Sequence, residues 1–244
     1  MFGRKFLIFI FFSTFLFGQK NVENQQLLWY GYYNKLQINK NWVLNSEVQE
    51  RHFYQPLVQH QLVFRTNLDR RILDDINVSL GFVVFLQSPN DPESESTLMV
   101  PELRTDFGFN AKKKYKYFNV NQRLKVEARF FHQTENNELV GGYQFSNFRM
   151  RYQLGLDIPL IKKQDAEKLI LKIKDEVMFN FGKNIVKNVF DQNRIYIGLN
   201  YPMNKNLAFE AGYLNWFQQR PSGTDFYNRD IIRFSVFHTI NLKK

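Results

Sequence analysis

The chain has 244 residues, 44% of them hydrophobic, 17% aromatic and 23% charged, and Lys+Arg 33 against Asp+Glu 23 gives a formal net charge of +10. It contains no cysteine, which excludes a disulfide framework, cysteine zinc sites, thiol catalysis and cysteine-held iron–sulfur clusters. Charge and apolar content are both too high for a disordered chain.

The first residues are a separate object. Arg4 and Lys5 precede Phe6 to Phe17, FLIFIFFSTFLF, which is apolar except for Ser13 and Thr14, and Gly18 follows. A basic start, a short apolar run and a small residue make a secretory signal peptide, expected to be cut after Gly18. The run is too short to cross a bilayer as a helix, which needs about 20 residues. The expected organisation is a signal peptide over 1–18 and one barrel domain over 19–244.

Beyond that point the chain reads in twos. Eleven segments alternate, roughly 27–38, 42–54, 57–68, 76–87, 98–110, 117–131, 145–158, 169–181, 193–202, 207–217 and 230–242. In the seventh, Phe148, Met150, Tyr152, Leu154, Leu156 and Ile158 are apolar, while Asn147, Arg149, Arg151, Gln153, Gly155 and Asp157 between them are not. A helix would mix these around its circumference; a strand sends them to opposite faces. Short links (NKNW at 39–42, DD at 74–75, AKKK at 111–114, MNKN at 203–206) largely alternate with longer polar ones at 88–97, 132–142, 183–188 and 218–225.

This pattern predicts an all-β, antiparallel up-and-down transmembrane β-barrel. A soluble periplasmic β-barrel binding protein also alternates, but with shorter strands as a rule. Ten residues rising about 3.3 Å each at a tilt near 40° climb about 25 Å, the height of an outer-membrane apolar band. Aromatics at segment ends (Trp29, Tyr30, Tyr32, Trp42, Phe53, Tyr54, Tyr115, Tyr117, Tyr201, Trp216, Phe217) suit the two headgroup zones. Barrels with both chain ends on one side need an even number of strands. The expectation is therefore about twelve, with residues 19–27 supplying an extra short strand, or ten as the alternative.

With each polar face turned to the lumen, acid and base recur two residues apart, which places them on one strand face. The expected lumen charge network is Glu47, Arg51, Arg65, Glu102, Arg104, Arg123, Glu127, Arg129, Arg149, Arg151, Glu176 and Arg194. Carboxylates and guanidinia on neighbouring strands can form bidentate pairs. The basic charges are spread along the whole chain rather than bunched, which argues against nucleic acid. No histidine pair stands at metal-ligand spacing, so neither a metal nor a cofactor is expected. The nearest thing to a catalytic group is His132 and Thr134 with Asn136 and Glu138, compared with the His and Ser two apart of some outer-membrane acyl hydrolases. A nucleophile–base pair needs a fixed hydrogen bond and an oriented base, and a loop supplies neither, so no enzyme is expected.

Read together, Trp29-Tyr30-Gly31 with Asn34, then Trp42, Leu44, Glu47, Gln49 and Arg51, then Gln61, Arg65 and Glu102-Leu103-Arg104, look familiar. Arg123, Glu127, Arg129 and Phe130, then Arg149, Arg151 and Tyr152, Glu176 and Asn180, Asp191-Gln192-Asn193-Arg194 and Gly212-Tyr213 continue the series. In this order and spacing the chain resembles the domain of unknown function 2490 family of exported barrel proteins. The resemblance implies residence in the outer membrane of a Gram-negative bacterium and carries no activity with it. The expected partners are outer-membrane lipids and, during biogenesis, the barrel-assembly machinery. The expected role is structural, or that of a narrow, weakly anion-preferring pore, with a lipid-modifying acyl hydrolase as the alternative.

Overall fold

The structure is a computed structural model and describes residues 21–164, 166–185 and 187–242. The signal peptide expected over 1–18 lies outside the described residues.

The described residues form eleven strands and one closed barrel. In chain order they are β1 (Val22–Gln37), β2 (Trp42–Phe53), β3 (Gln59–Leu73), β4 (Ile76–Gln87), β5 (Val100–Lys114), β6 (Asn119–Glu135), β7 (Glu138–Lys163), β8 (Ala166–Phe181), β9 (Phe190–Pro202), β10 (Leu207–Gln219) and β11 (Phe226–Asn241). Each pairs antiparallel with its chain neighbours, and β1 closes the sheet by pairing parallel with β11, Val22 opposite Phe226 through Gln37 opposite Asn241. Closure satisfies both edges of the sheet, so among the described residues no strand is left as a template for foreign pairing. Among the described residues no helix is long and apolar enough to cross a membrane.

The eleven alternating segments fall on the eleven strands, but the expected twelve strands, or ten, are not found. Residues 22–26 do not make an extra strand; they lengthen β1 backwards. An odd number of strands that reverse at every turn leaves the first and last running the same way, and here those two pair directly. Two boundaries also move. The AKKK run continues β5 as far as Lys114. The polar stretch 132–142 is not a loop but the outer end of the β6–β7 hairpin, turned at Asn136 and Asn137 with φ of 48° and 63°. Two residues with positive φ make a hairpin turn whose twist matches the strands, and Asn tolerates that region.

The links β1–β2, β3–β4, β5–β6, β7–β8 and β9–β10 share one end of the barrel, here the short-turn end. The remaining links, β4–β5 with residues 88–99 among them, share the long-loop end. β1 starts at the long-loop end and β11 finishes at the other.

The faces are inverted relative to a water-soluble barrel. Leu80 is 64% exposed and Glu102 0%. Phe107, Phe148, Leu154, Ile197, Leu199 and Phe234 also lie exposed on the outer wall. Near the long-loop end that wall turns polar. Asn193 donates to Asp175 at 2.6 Å, and Asn215 to Asn228 at 2.8 Å and to Asp230 at 3.3 Å.

Candidate functional site: the barrel interior

Strand pleat decides which side chains enter the barrel. On β5 and β6 the inward positions are Glu102, Arg104 and Asp106, and Lys125, Glu127 and Arg129. Ladder pairing sets Arg104 opposite Arg129 and Asp106 opposite Glu127. On β7 and β8 Arg149, Arg151 and Glu176 continue the row, with Gln153 opposite Glu176.

Glu102, Arg104, Arg129, Glu127, Arg151, Glu176 and Arg123 form one continuous chain of ion pairs across four strands. Arg104 grips Glu102 with two hydrogen bonds, Nε to Oε1 at 2.6 Å and Nη2 to Oε2 at 2.7 Å. Arg129 Nε donates to the same Oε1 at 2.6 Å. Glu127 bridges Arg104 at 3.4 Å and Arg151 at 2.6 Å. Arg151 then holds Glu176 with Nε at 3.1 Å and Nη2 at 3.0 Å, and Arg123 reaches Glu176 at 2.7 Å. Both Glu102 and Glu127 are fully buried. A buried charge is tolerated only when paired and hydrogen-bonded, and each carboxylate here meets at least two guanidinia.

Other expected members stand elsewhere. Glu47 and Arg65 make a separate pair across β2 and β3 at 2.6 Å. Arg149 pairs with Asp191 at 2.9 Å. Arg51 and Arg194 join no carboxylate among the described residues: Arg51 bonds Gln49 and Gln61, and Arg194 bonds Gln192. Their guanidinium carbons lie over tryptophan rings instead, Arg51 4.0 Å from the Trp29 centroid and Arg194 4.5 Å from that of Trp216.

Two interior groups were not anticipated from sequence. Asp191 enters the lumen because the β8–β9 register slips between Met178 and Phe179, which breaks the simple alternation. Arg229, fully buried, lies on β11 one residue before the segment expected at 230–242, on the same face as Ile231 and Arg233. It donates to Gln25 and Gln218 at 2.7 Å each and to Asn90 at 3.1 Å. Close to the network, Lys125 and Asp106 pair at 2.7 Å.

The aromatic girdle needs correcting. Tyr30, Tyr32, Tyr54, Tyr115, Tyr117 and Tyr201 are exposed, but Trp29, Phe53 and Trp216 are buried inside. With Leu27, Tyr196, Leu214 and Ile231 they form an apolar cluster within the lumen. Trp29 and Trp216 meet edge to face at 5.6 Å. The pleat puts Trp29 on the same face as Gln25 and Tyr33, so it follows them inward.

This cluster lies in the half of the barrel toward the long loops, where Phe53 and Phe226 end or begin their strands. Asn90 of the 88–99 loop bends over it, bonded to Arg229 and, through its carbonyl, to Gln25 at 2.9 Å. The lumen is thereby filled at that end. Toward the short turns it opens into two adjoining chambers of about 320 and 260 Å³ that share Tyr33, Glu47, Arg65, Arg123 and Phe237.

The interior has room for Tyr196 because two wall positions lack side chains. Gly198 and Gly212 face each other across β9 and β10, and a Cβ on Gly198 would meet the Tyr196 hydroxyl at 2.2 Å. That hydroxyl lies along the bare wall and donates to Glu210 at 2.9 Å.

His132 does not engage Thr134. Its Nδ1 lies 3.0 Å from the Gln133 carbonyl oxygen, and its ring meets Tyr143 edge-on. Asn136 forms the hairpin tip, and Thr134 stands opposite Leu139. Among the described residues no group of three or more histidine and acidic side chains stands close enough to hold a metal ion.

A closed barrel, antiparallel except at its one parallel seam, with its ion pairs inside and its apolar side chains outside defines the class: an inside-out β-barrel. The sequence model of one family, described as protein of unknown function (DUF2490), matches residues 26–228, and the chain belongs to that family. No curated protein and no solved structure matches the chain.

Proposed function

We propose that the protein is an exported integral barrel of the outer membrane of a Gram-negative bacterium, structural in role or conducting only weakly, with a preference for anions. The observation that carries this is the inversion of faces: fully buried Glu102 and Glu127 inside, and an outer wall on which Leu80, Leu154 and Phe234 stand exposed. Exposed contiguous apolar surface on this scale mismatches water and matches lipid tails. The bore supports the second half of the reading. Paired long side chains and the tryptophan cluster fill it, while basic groups outnumber acids along the inner chamber. Rings of Arg and Lys suit anions. Lipids on the outer wall and the assembly machinery that inserts the barrel are its partners in this reading.

The test has two parts. Membrane fractions should release the protein only into detergent, and unheated samples should migrate differently from boiled ones. Release by osmotic shock without detergent would end the membrane reading. Planar-bilayer recordings should then show small conductance with a reversal potential shifted toward anions across a salt gradient.

A further inference from the structure

We infer that the barrel interior holds a binding site for a small multivalent oxyanion, of the phosphate or carboxylate class, entered from the short-turn end. This deepens the anion preference proposed above and rests on that reading.

The argument begins with a difference between two sides of one lumen. On the β5–β8 side nearly every guanidinium has a carboxylate, as a purely structural filling would require. On the side built by β1, β2 and β9–β11 the carboxylates Glu47, Asp191 and Glu210 are engaged by Arg65, Arg149 and Lys174, and three arginines of the inner chamber are left without one. Arg51 and Arg194 bond glutamines, and Arg233 donates to the Tyr33 hydroxyl at 2.7 Å. Among the described residues none of these three is in ion-pair contact with an acid. All three line the inner chamber, whose acidic lining is Glu47 and Glu176 alone. Those two are already engaged by Arg65, and by Arg123 and Arg151.

Positive charge gathered against low-dielectric walls attracts anions far more strongly than the same charge in water. The chamber has space for one. Its volume of about 260 Å³ is several times the roughly 30 Å³ that one water occupies in the liquid.

A second observation points to an oxyanion rather than a halide. Arg65 and Arg123 stand at the waist shared by both chambers, and each spends one Nη on a carboxylate, Arg65 Nη1 on Glu47 at 2.6 Å and Arg123 Nη2 on Glu176 at 2.7 Å. Guanidinium donors match the paired oxygens of phosphate and carboxylate. The way in is set by the plug: Trp29, Trp216 and Asn90 close the far end, whereas the outer chamber reaches the exposed Lys35 near the β1–β2 turn.

Pyrophosphate is the probe. The full-length protein in detergent is titrated calorimetrically with it, at an ionic strength fixed by chloride salt. Saturable binding is expected, weakened about tenfold or more in Arg233→Gln and in Arg123→Gln, the scale of losing one charged hydrogen-bonding partner. Arg233→Gln leaves no orphaned acid, because its partner is the neutral Tyr33 hydroxyl; heat-dependent gel mobility verifies that the barrel persists. Should either variant fail to fold, Arg233→Lys keeps the charge, loses the fork, and should still weaken binding severalfold. Heat no greater than that of chloride, or affinity unchanged in the folded variants, overturns the site. Those outcomes in a barrel that still needs detergent leave the membrane reading intact. A detergent-independent protein that binds pyrophosphate defeats the location and keeps the site.

Discussion

Single residues show what the inverted interior demands. Glu127 sits between Arg104 and Arg151, and each of those keeps a second carboxylate, Glu102 or Glu176. Glu127→Ala should still cost about 3–5 kcal/mol, because two buried guanidinia would then face each other across an empty position. Glu127→Gln should cost less, since the amide oxygen still accepts. Midpoints of urea unfolding from lipid vesicles measure both; equal midpoints for Glu127→Ala and the unmutated protein would remove the ion-pair chain as a source of stability. The outer wall gives the converse. Leu80 points outward and Gln153 inward, opposite Glu176. In the proposed membrane setting, Leu80→Arg should cost about 2–4 kcal/mol, the scale for a basic side chain on the lipid face of such a barrel. Gln153→Arg should cost much less, and the same vesicle measurement separates the two.

At the scale of elements the seam matters most. β1 and β11 run parallel, and Leu28 stands opposite Ile232 on the outer wall. Neighbouring strands lie about 4.8 Å apart, so an intervening strand would double that distance. The chain has no cysteine of its own, so Leu28→Cys with Ile232→Cys gives a clean pair. A short bifunctional thiol reagent should link them in the folded barrel with high yield. Failure to link would mean that another strand separates β1 from β11. Next to the seam, Gly212 is fixed by close approach: a Cβ there would meet the Ile197 carbonyl oxygen at 2.5 Å and Gly198 Cα at 2.7 Å. Both contacts are with backbone, so Gly212→Val should weaken the β9–β10 pairing and lower the unfolding midpoint in vesicles.

For the whole molecule, the number of strands does not by itself set the bore. Eight strands leave room only for side chains and sixteen leave a channel, so a barrel of eleven is open or shut according to what its inward positions carry. Here they carry arginines laid over tryptophans beneath the 88–99 loop. Trp29→Ala combined with Trp216→Ala removes the two largest rings of the plug and should raise conductance severalfold while keeping the anion preference. Planar-bilayer recording of the pair against the unmutated protein is the measurement. A large, stable, cation-selective conductance in the unmutated protein would contradict the occluded, basic lumen.

The period of two belongs to the chain itself. In β7 the apolar and polar residues alternate without a break from Asn147 to Ile158, and no packing partner is needed to see that they part onto two faces. Eleven alternating segments, their order and the identity of the polar face follow from such local alternation; the odd strand number does not, since the sequence leads to twelve strands or ten and the closed sheet has eleven. In β1 the signal fails, because Leu27, Leu28, Trp29 and Tyr30 are all apolar or aromatic. That Trp29 enters the lumen shows in its pairing with Arg51 and Arg233 on its two sides, on the face it shares with Gln25 and Leu27. Asp191 was hidden for a related reason, since a slip in register carries it to the face that alternation denies it. Sequence by itself determined which residues share a strand face. Closure of the sheet decided the rest: that β1 meets β11 in parallel, which arginines find carboxylates and which find tryptophans, and which end of the bore is filled. Those are relations between strands far apart in the chain, set by the stagger of the hydrogen-bonded ladder, and no local pattern of residues encodes that stagger.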